Sequence, residues 1–237
     1  GKQIGSKYGF IANGLFQSEE EIANSATVKG YKALPGYIKY VDRNGDGIIT
    51  AAQDQGYVGK SATPKHTGSL NLFGNWKGFD FDLLFSWGLG NVVALTGQYT
   101  ASGSAGTQDN TSFTKPFYHG GNSPTFLVEN SWTPEHTNAE FPRLEITGPS
   151  NNNGYSSTFW YRNGNYMRLK TAQIGYNFPK KWLNPAGIEG LRLYVEGYNL
   201  LTFSGLTKYN IDPESPAVNN GYYPQQRTYT LGVKLTF

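Results

Sequence analysis

Asp42, Asn44 and Asp46 stand at alternate positions in the run Asp42-Arg43-Asn44-Gly45-Asp46-Gly47-Ile48-Ile49-Thr50. A calcium loop needs side-chain oxygens at positions one, three and five, a glycine at six for the sharp turn, and a backbone carbonyl at seven, here that of Ile48. The second half departs from that pattern. Position twelve is Gln53, a neutral side chain, and Asp54 follows one residue late. A bulge would let Asp54 close the site as a carboxylate ligand for Ca2+. A weaker, water-filled or empty site, or a plain Asx and glycine turn, are the alternatives these residues leave open. No helical pattern flanks the loop, so the role of such a site is to stiffen it rather than to sense calcium.

Other chemistry is weaker. Gly56-Tyr57-Val58-Gly59-Lys60-Ser61 mimics the end of a phosphate loop, but the required first glycine is Asp54. His66, His119 and His136 are scattered without metal-ligand spacing, and no serine sits in a GxSxG elbow. The expectation is a protein without enzymatic activity. Trp132, Trp160, Tyr209, Tyr222 and Tyr223 are candidates for stacking on sugar rings or peptide side chains, with packing inside loops as the other role for such residues.

The elements around these residues read as strands. Aromatics make up 15% of the 237 residues, there are 30 glycines, and Thr, Tyr and Asn are abundant. This is an all-β vocabulary with many turns. Twenty basic against 17 acidic groups leave a net charge of +3, too little to argue for nucleic acid. Cysteine is absent, which excludes little. No run of about 18 apolar residues provides a membrane-spanning helix. The start, GKQIGSKYGF, has no apolar core or cleavage site, so the expectation is a mature protein or a chain beginning mid-protein.

The clearest alternation is the last. From Thr228 to Phe237, Tyr229, Leu231, Val233, Leu235 and Phe237 share one parity, and Thr228, Thr230, Gly232, Lys234 and Thr236 the other. Strands are predicted at about 64–76, 79–91, 165–178, 191–203 and 227–237, the first two joined by a tight Lys77-Gly78 turn. In the second, Phe79, Phe81, Leu83, Phe85, Trp87 and Leu89 oppose Asp80, Asp82, Ser86 and Gly88. In the third, Ala172, Ile174, Tyr176 and Phe178 form the apolar row, with Arg168 and Lys170 on the same parity, where they would clear a membrane at that end.

Connections alternate between short ones at 77–78 and 179–190 and long polar ones at about 91–160 and 202–226. A transmembrane barrel has this asymmetry, with short turns on the periplasmic side, long loops outside, and strands of about ten residues across a band of roughly 25 Å. Residues 1–63 hold no complete spanning pattern and are assigned to an extracellular loop region, with 64–237 the C-terminal barrel strands and their outer loops. Lumen candidates by parity are Asp80, Asp82, Arg192, Tyr194 and Glu196, with wall-bracing ion pairs the other use of such charges.

Six blocks, in order, are similar to one family: GFIANGLFQSEEEI (Gly9 to Ile22), PGYIKYVDRNGDGIIT (Pro35 to Thr50), SWTPEHTNAEFPRL (Ser131 to Leu144), NYMRLKTAQIGYNFPKKWL (Asn165 to Leu183), LRLYVEGYNLLTF (Leu191 to Phe203) and YPQQRTYTLGVKLTF (Tyr223 to Phe237). Together the chain resembles the C-terminal part of a SusC/RagA-type TonB-dependent outer-membrane transporter of the Bacteroidota. The extra residue between Thr50 and Asp54 departs from the family pattern. The resemblance implies a 22-stranded barrel with an N-terminal plug, energised by TonB with ExbB and ExbD. A SusD-like surface lipoprotein would cap it and capture oligosaccharides or peptides.

On that reading this chain carries the last five or so strands and lies in the Gram-negative outer membrane against lipid. Phe237 resembles the terminal aromatic read by outer-membrane assembly machinery. Five amphipathic strands cannot close, so the rest of the barrel and the plug are expected either as a second polypeptide, nicked before Gly1, or as the remainder of a longer chain. The rival reading is a secreted, calcium-stabilised β-sandwich that binds glycans or acts as an adhesin.

Overall fold

The structure, a computed structural model, describes residues 4–59, 61–95, 99, 122–145, 152–215 and 225–237. Each alternating segment is a strand: β1 (His66–Trp76), β2 (Phe79–Leu89), β3 (Tyr166–Asn177), β4 (Gly190–Ser204) and β5 (Thr228–Thr236). They form one antiparallel sheet in the order β5-β4-β3-β2-β1, with β1 and β5 at its edges. Lys77 and Gly78 turn β1 into β2 with φ of 50° and 92°, the left-handed pair that a two-residue hairpin turn demands. Among the described residues the helices are short, the longest running five residues, and the fold is all-β. No helix among the described residues is long and apolar enough to cross a membrane, which says nothing of strands.

Register carries the alternation across the sheet. Leu72 faces Leu83, Phe81 faces Ile174, Ile174 faces Val195, and Val195 faces Leu231, giving one continuous apolar face. That face is uncovered in the chain: Ile174 is 58%, Val195 55% and Leu231 77% exposed. Asp80, Gly175, Tyr194 and Gly232 line up in the same way on the other, polar face, alongside Asp82, Gln173, Glu196 and Thr230.

At every strand pair a glycine lies beneath a large cross-strand side chain. A β-carbon at Gly68 would stand 2.4 Å from the Trp87 ring, at Gly74 2.9 Å from Phe81, at Gly88 2.6 Å from Tyr166, at Gly175 2.6 Å from the Arg192 guanidinium, and at Gly232 2.1 Å from the Tyr194 ring. The large group fills the space that the missing side chain leaves.

The chain divides into two compact units, one of 1–62 with 92–162 and the other of 63–91 with 163–237. This departs from the linear division at residue 63, because backbone and side-chain hydrogen bonds tie 152–158 to the first 40 residues. Phe10 N–H donates to the Ser156 carbonyl at 2.8 Å and Thr158 N–H to that of Phe10 at 3.0 Å. Ile38 N–H donates to Asn153 Oδ1 at 2.8 Å, and the Tyr40 hydroxyl to the Asn152 carbonyl at 2.8 Å. Phe10 is buried between Tyr40, at 5.0 Å between ring centres, and Tyr155, at 5.6 Å. Strands among the described residues of this unit are only two to four residues long, so there aromatic packing, not sheet extension, carries the burial.

Candidate functional site

The loop after Val41 is held by its own amides. Gly45 and Gly47 N–H donate to the two carboxylate oxygens of Asp42, each at 2.7 Å. The Gly47 amide holds the Asp42 carboxyl below the usual aspartate range, joined by those of Gly45, Asn44 and Asp46 and opposed by desolvation. Gly45 and Gly47 have φ of 76° and 82°, which suits glycine. Asn44 Nδ2 donates to Asp46 Oδ2 at 2.8 Å, and Ile48 N–H to Asp46 Oδ1 at 2.9 Å.

Asp54 closes the loop in a different way from a metal ligand. A short helix, Ala51–Asp54, turns its carboxylate inward, where it is fully buried. Arg43 N–H donates to Oδ1 at 2.8 Å and Thr50 N–H to Oδ2 at 2.7 Å. Among the described residues no three His, Cys, Asp or Glu side chains converge as a metal centre. The oxygens left to a cation are those of Asp42, Asn44, Asp46 and the Ile48 carbonyl, so the donor set fits calcium in its first half, while Asp54 serves as a brace.

Replacing Asp54 with alanine should leave two part-buried amides without their partner and cost about 2 kcal/mol of local stability. Hydrogen exchange at the Arg43 and Thr50 amides reads this directly. Unchanged protection would show that something else holds the loop.

On the sheet, the polar face carries a brace and a cluster. Arg192 lies across Gly175 to reach Asp80, with Nε 2.9 Å from Oδ2, and its Nη2 also donates to Gln173 Oε1 at 2.8 Å. Asn177 Nδ2 adds a bond to the same carboxylate at 2.7 Å. Of the five lumen candidates, Asp80 and Arg192 are thus joined, Tyr194 lies beneath the Arg192 guanidinium at 4.9 Å, and Glu196 accepts from the Tyr198 hydroxyl at 2.7 Å. Asp82 stands exposed.

The cluster corrects the parity reading of β3. Unbroken alternation puts Arg168 and Lys170 in the apolar row. In the structure Leu169 pairs with Phe85 and Leu201, and Thr171 with Leu84 and Tyr198, which leaves Lys170 as an extra residue opposite Asn199 and Leu200. Asn199 takes a left-handed φ of 54° to make this bulge. Beyond it parity is reset: Met167 and Leu169 join the apolar row, and Arg168 turns to the polar face between Ser86 and Thr202.

Arg168 is buried there, with a partner for each of its three nitrogens. Its Nη2 meets Asp212 at 2.7 Å, its Nη1 meets Glu214 at 2.5 Å and Gln225 Oε1 at 2.5 Å, and its Nε donates to Thr202 Oγ1 at 3.0 Å. Lys170 Nζ shares Glu214 at 2.8 Å. The segment after β4 is therefore tied onto the sheet, with Leu206, Tyr209 and Ile211 buried beneath it. The signal that finds this cluster is Asp212-Pro213-Glu214 in a loop following a strand with two misplaced cations.

The aromatic candidates separate by burial. Trp132 and Trp160 are 5% and 7% exposed and Tyr209 1%, so their rings pack inside. Trp132 Nε1 donates to Gln17 Oε1 at 3.0 Å, and Trp160 Nε1 to the Asn153 carbonyl at 2.7 Å. Tyr222 and Tyr223, like His119, lie outside the described residues.

No family model matches the chain. TonB-dependent receptor P3 of Formosa agariphila is 32% identical over 251 residues, an alignment covering 100% of this chain and 22% of the relative. TonB-dependent receptor P26 of the same organism is 29% identical over 240 residues, 94% of this chain and 22% of the relative. The chain thus spans under a quarter of the length of these two curated relatives. Among solved structures, the RagAB peptide transporter matches with a TM-score of 0.64 at 23% identity, over 98% of this chain and 23% of that one. The RagAB peptide importer in its open-open state matches at 0.63 and 24% identity, over 98% and 22%. At these identities the structural likeness speaks for the fold, and the sequence likeness runs the full length of the chain: it belongs with the TonB-dependent receptors, of which it spans a part.

Proposed function

We propose that this chain is a wall section of an outer-membrane importer, taking up oligosaccharides or peptides and performing no catalysis. The observation that carries the reading is the uncovered apolar face running across five strands, backed by a polar face whose charges are braced, with both sheet edges left open. An apolar face of this extent calls for lipid, and open edges call for further strands. The partners proposed are the remaining strands of a 22-stranded barrel and its plug, TonB with ExbB and ExbD, and a SusD-like surface lipoprotein. The relatives' names and the RagAB structures support transport in general.

Cysteine is absent from the chain, so single cysteines placed at Val195, Glu196, Leu231 and Thr230 test the assignment in native membranes. A water-soluble maleimide should label positions 196 and 230 and spare 195 and 231. Equal labelling of all four, or recovery of the protein in the aqueous supernatant, would overturn it in favour of a secreted β-sandwich.

Calcium at Asp42, Asn44, Asp46 and the Ile48 carbonyl belongs to the same proposal, as a stiffener of the loop that Asp54 already braces. Calorimetric titration of the calcium-stripped protein should give saturable heat with about one ion per chain. A flat titration removes the ion from the proposal.

A further inference from the structure

The bulge and the loop it anchors border an open cavity of about 190 Å³ over the polar face of the sheet, lined by Arg168, Asn199, Thr207, Asn210, Asp212 and Arg227 among others. The charges around it are Arg168, Lys170 and Arg227 against Asp212 and Glu214. Arg168 and Lys170 are consumed by the two acids, and every nitrogen of the Arg168 fork has an oxygen partner. Arg227 is exposed at the cavity and makes no hydrogen bond or ion pair with the described residues, and the Asn210 side chain likewise makes none. The lining therefore carries one uncompensated positive charge on a planar fork, with a free amide in the same wall.

We propose that this cavity receives a carboxylate carried by the cargo, with the Arg227 guanidinium as its principal contact and the Asn210 amide as a second donor. A planar guanidinium matches a carboxylate with two parallel N–H bonds. The volume is below the roughly 300 Å³ at which pockets begin to enclose a whole drug-sized ligand, so it takes an end group and leaves the rest of the molecule outside. Arg168 is not the contact: its nitrogens are taken by Asp212, Glu214, Gln225 and Thr202, and with Lys170 it engages both acids. The inference rests on the transport reading only for how cargo reaches the cavity.

The test is calorimetry on the protein extracted with detergent from its native membrane, with trigalacturonate, trialanine, trialanine amide and maltotriose as probes. Binding of trigalacturonate over maltotriose, or of trialanine over trialanine amide, by at least about fivefold supports the assignment, and which carboxylate binds tells a sugar acid from a peptide terminus. Arg227→Gln should weaken the acidic probe about fivefold, as an exposed charge-assisted pair allows. Arg227→Lys, keeping the charge but not the fork, should fall between the two. The proposal is overturned if neither carboxylate probe binds, if probes with and without a carboxylate bind alike, or if Arg227→Gln binds the carboxylate probe as tightly as the native protein. Membrane residence is read separately by the cysteine labelling, so failure of the transport reading and failure of this one remain distinct.

Discussion

Arg168→Leu should release residues 205–215 from the sheet, lowering the free energy of their local opening by about 3 kcal/mol. The arginine side chain is 3% exposed, and its partners Asp212 and Glu214 are 16% and 15% exposed. Removing one member of a buried ion cluster strands the others, and losses of about 3–5 kcal/mol are typical. The lower end applies because both acids keep some water and Lys170 stays 2.8 Å from Glu214. Arg168→Lys retains the charge but cannot reach Asp212, Glu214 and Thr202 at once, so an intermediate loss is expected. The readouts are hydrogen exchange at the Tyr209 and Ile211 amides, both bonded to the Leu206 carbonyl, and tryptic cleavage after Lys208. Native protection in Arg168→Leu would mean that the apolar anchors Leu206, Tyr209 and Ile211 hold the segment without the ions.

Gly9→Ala should be more damaging, at about 4 kcal/mol, although it adds one methyl group. The new carbon would lie 2.1 Å from the Ser156 carbonyl oxygen and 2.6 Å from its carbon. Both are backbone, so no rotamer change relieves the clash. The segments must part, which stretches the Phe10–Ser156 and Thr158–Phe10 hydrogen bonds and the bond from the Ala12 N–H to Thr158 Oγ1 at 2.9 Å. Overpacking costs about 1–3 kcal/mol and each orphaned buried group about 1–3 more. Trp160, buried two residues beyond Thr158, supplies the measurement: its emission should shift to the red and its quenching by acrylamide should rise. Gly205→Ala is the matched control, since nothing lies within 4 Å of its added carbon. Native-like fluorescence in Gly9→Ala would show that the crossing is looser than its geometry implies.

The sheet was legible because period-two alternation runs through its strands on either side of a single register break, and the strand ends predicted from residue pattern fall within two residues of those observed. The bulge was not. Arg168 and Lys170 sit an even number of residues from Ala172, so counting alone places all three on one face, and nothing local distinguishes Lys170 as an extra residue. Its cause is on another strand, in Asn199 turning left-handed opposite it. The first unit was less legible still, because residues about 145 apart, such as Phe10 and Tyr155, make its core, and strands of two to four residues leave no period to read. In the loop at Asp42, the chemistry of the first half was plain, yet the displacement of Asp54 by one position decided its role. A residue late, it meets the Arg43 and Thr50 amides instead of facing Asp42.

The glycines under cross-strand side chains bear on how the sheet assembles. Alternation forbids a slip of one residue, because every side chain would change face, but a slip of two leaves apolar with apolar and polar with polar. Hydrophobic patterning is blind to that error. The Trp87 ring over Gly68 and the Tyr194 ring over Gly232 are not. A slide of two residues would seat the first ring on His66 or Leu70, and the second on Thr230 or Lys234, where a side chain already stands. With such a notch at each of the four strand pairs, misregistered intermediates are penalised one pair at a time, and the sheet proofreads its own alignment as it zips.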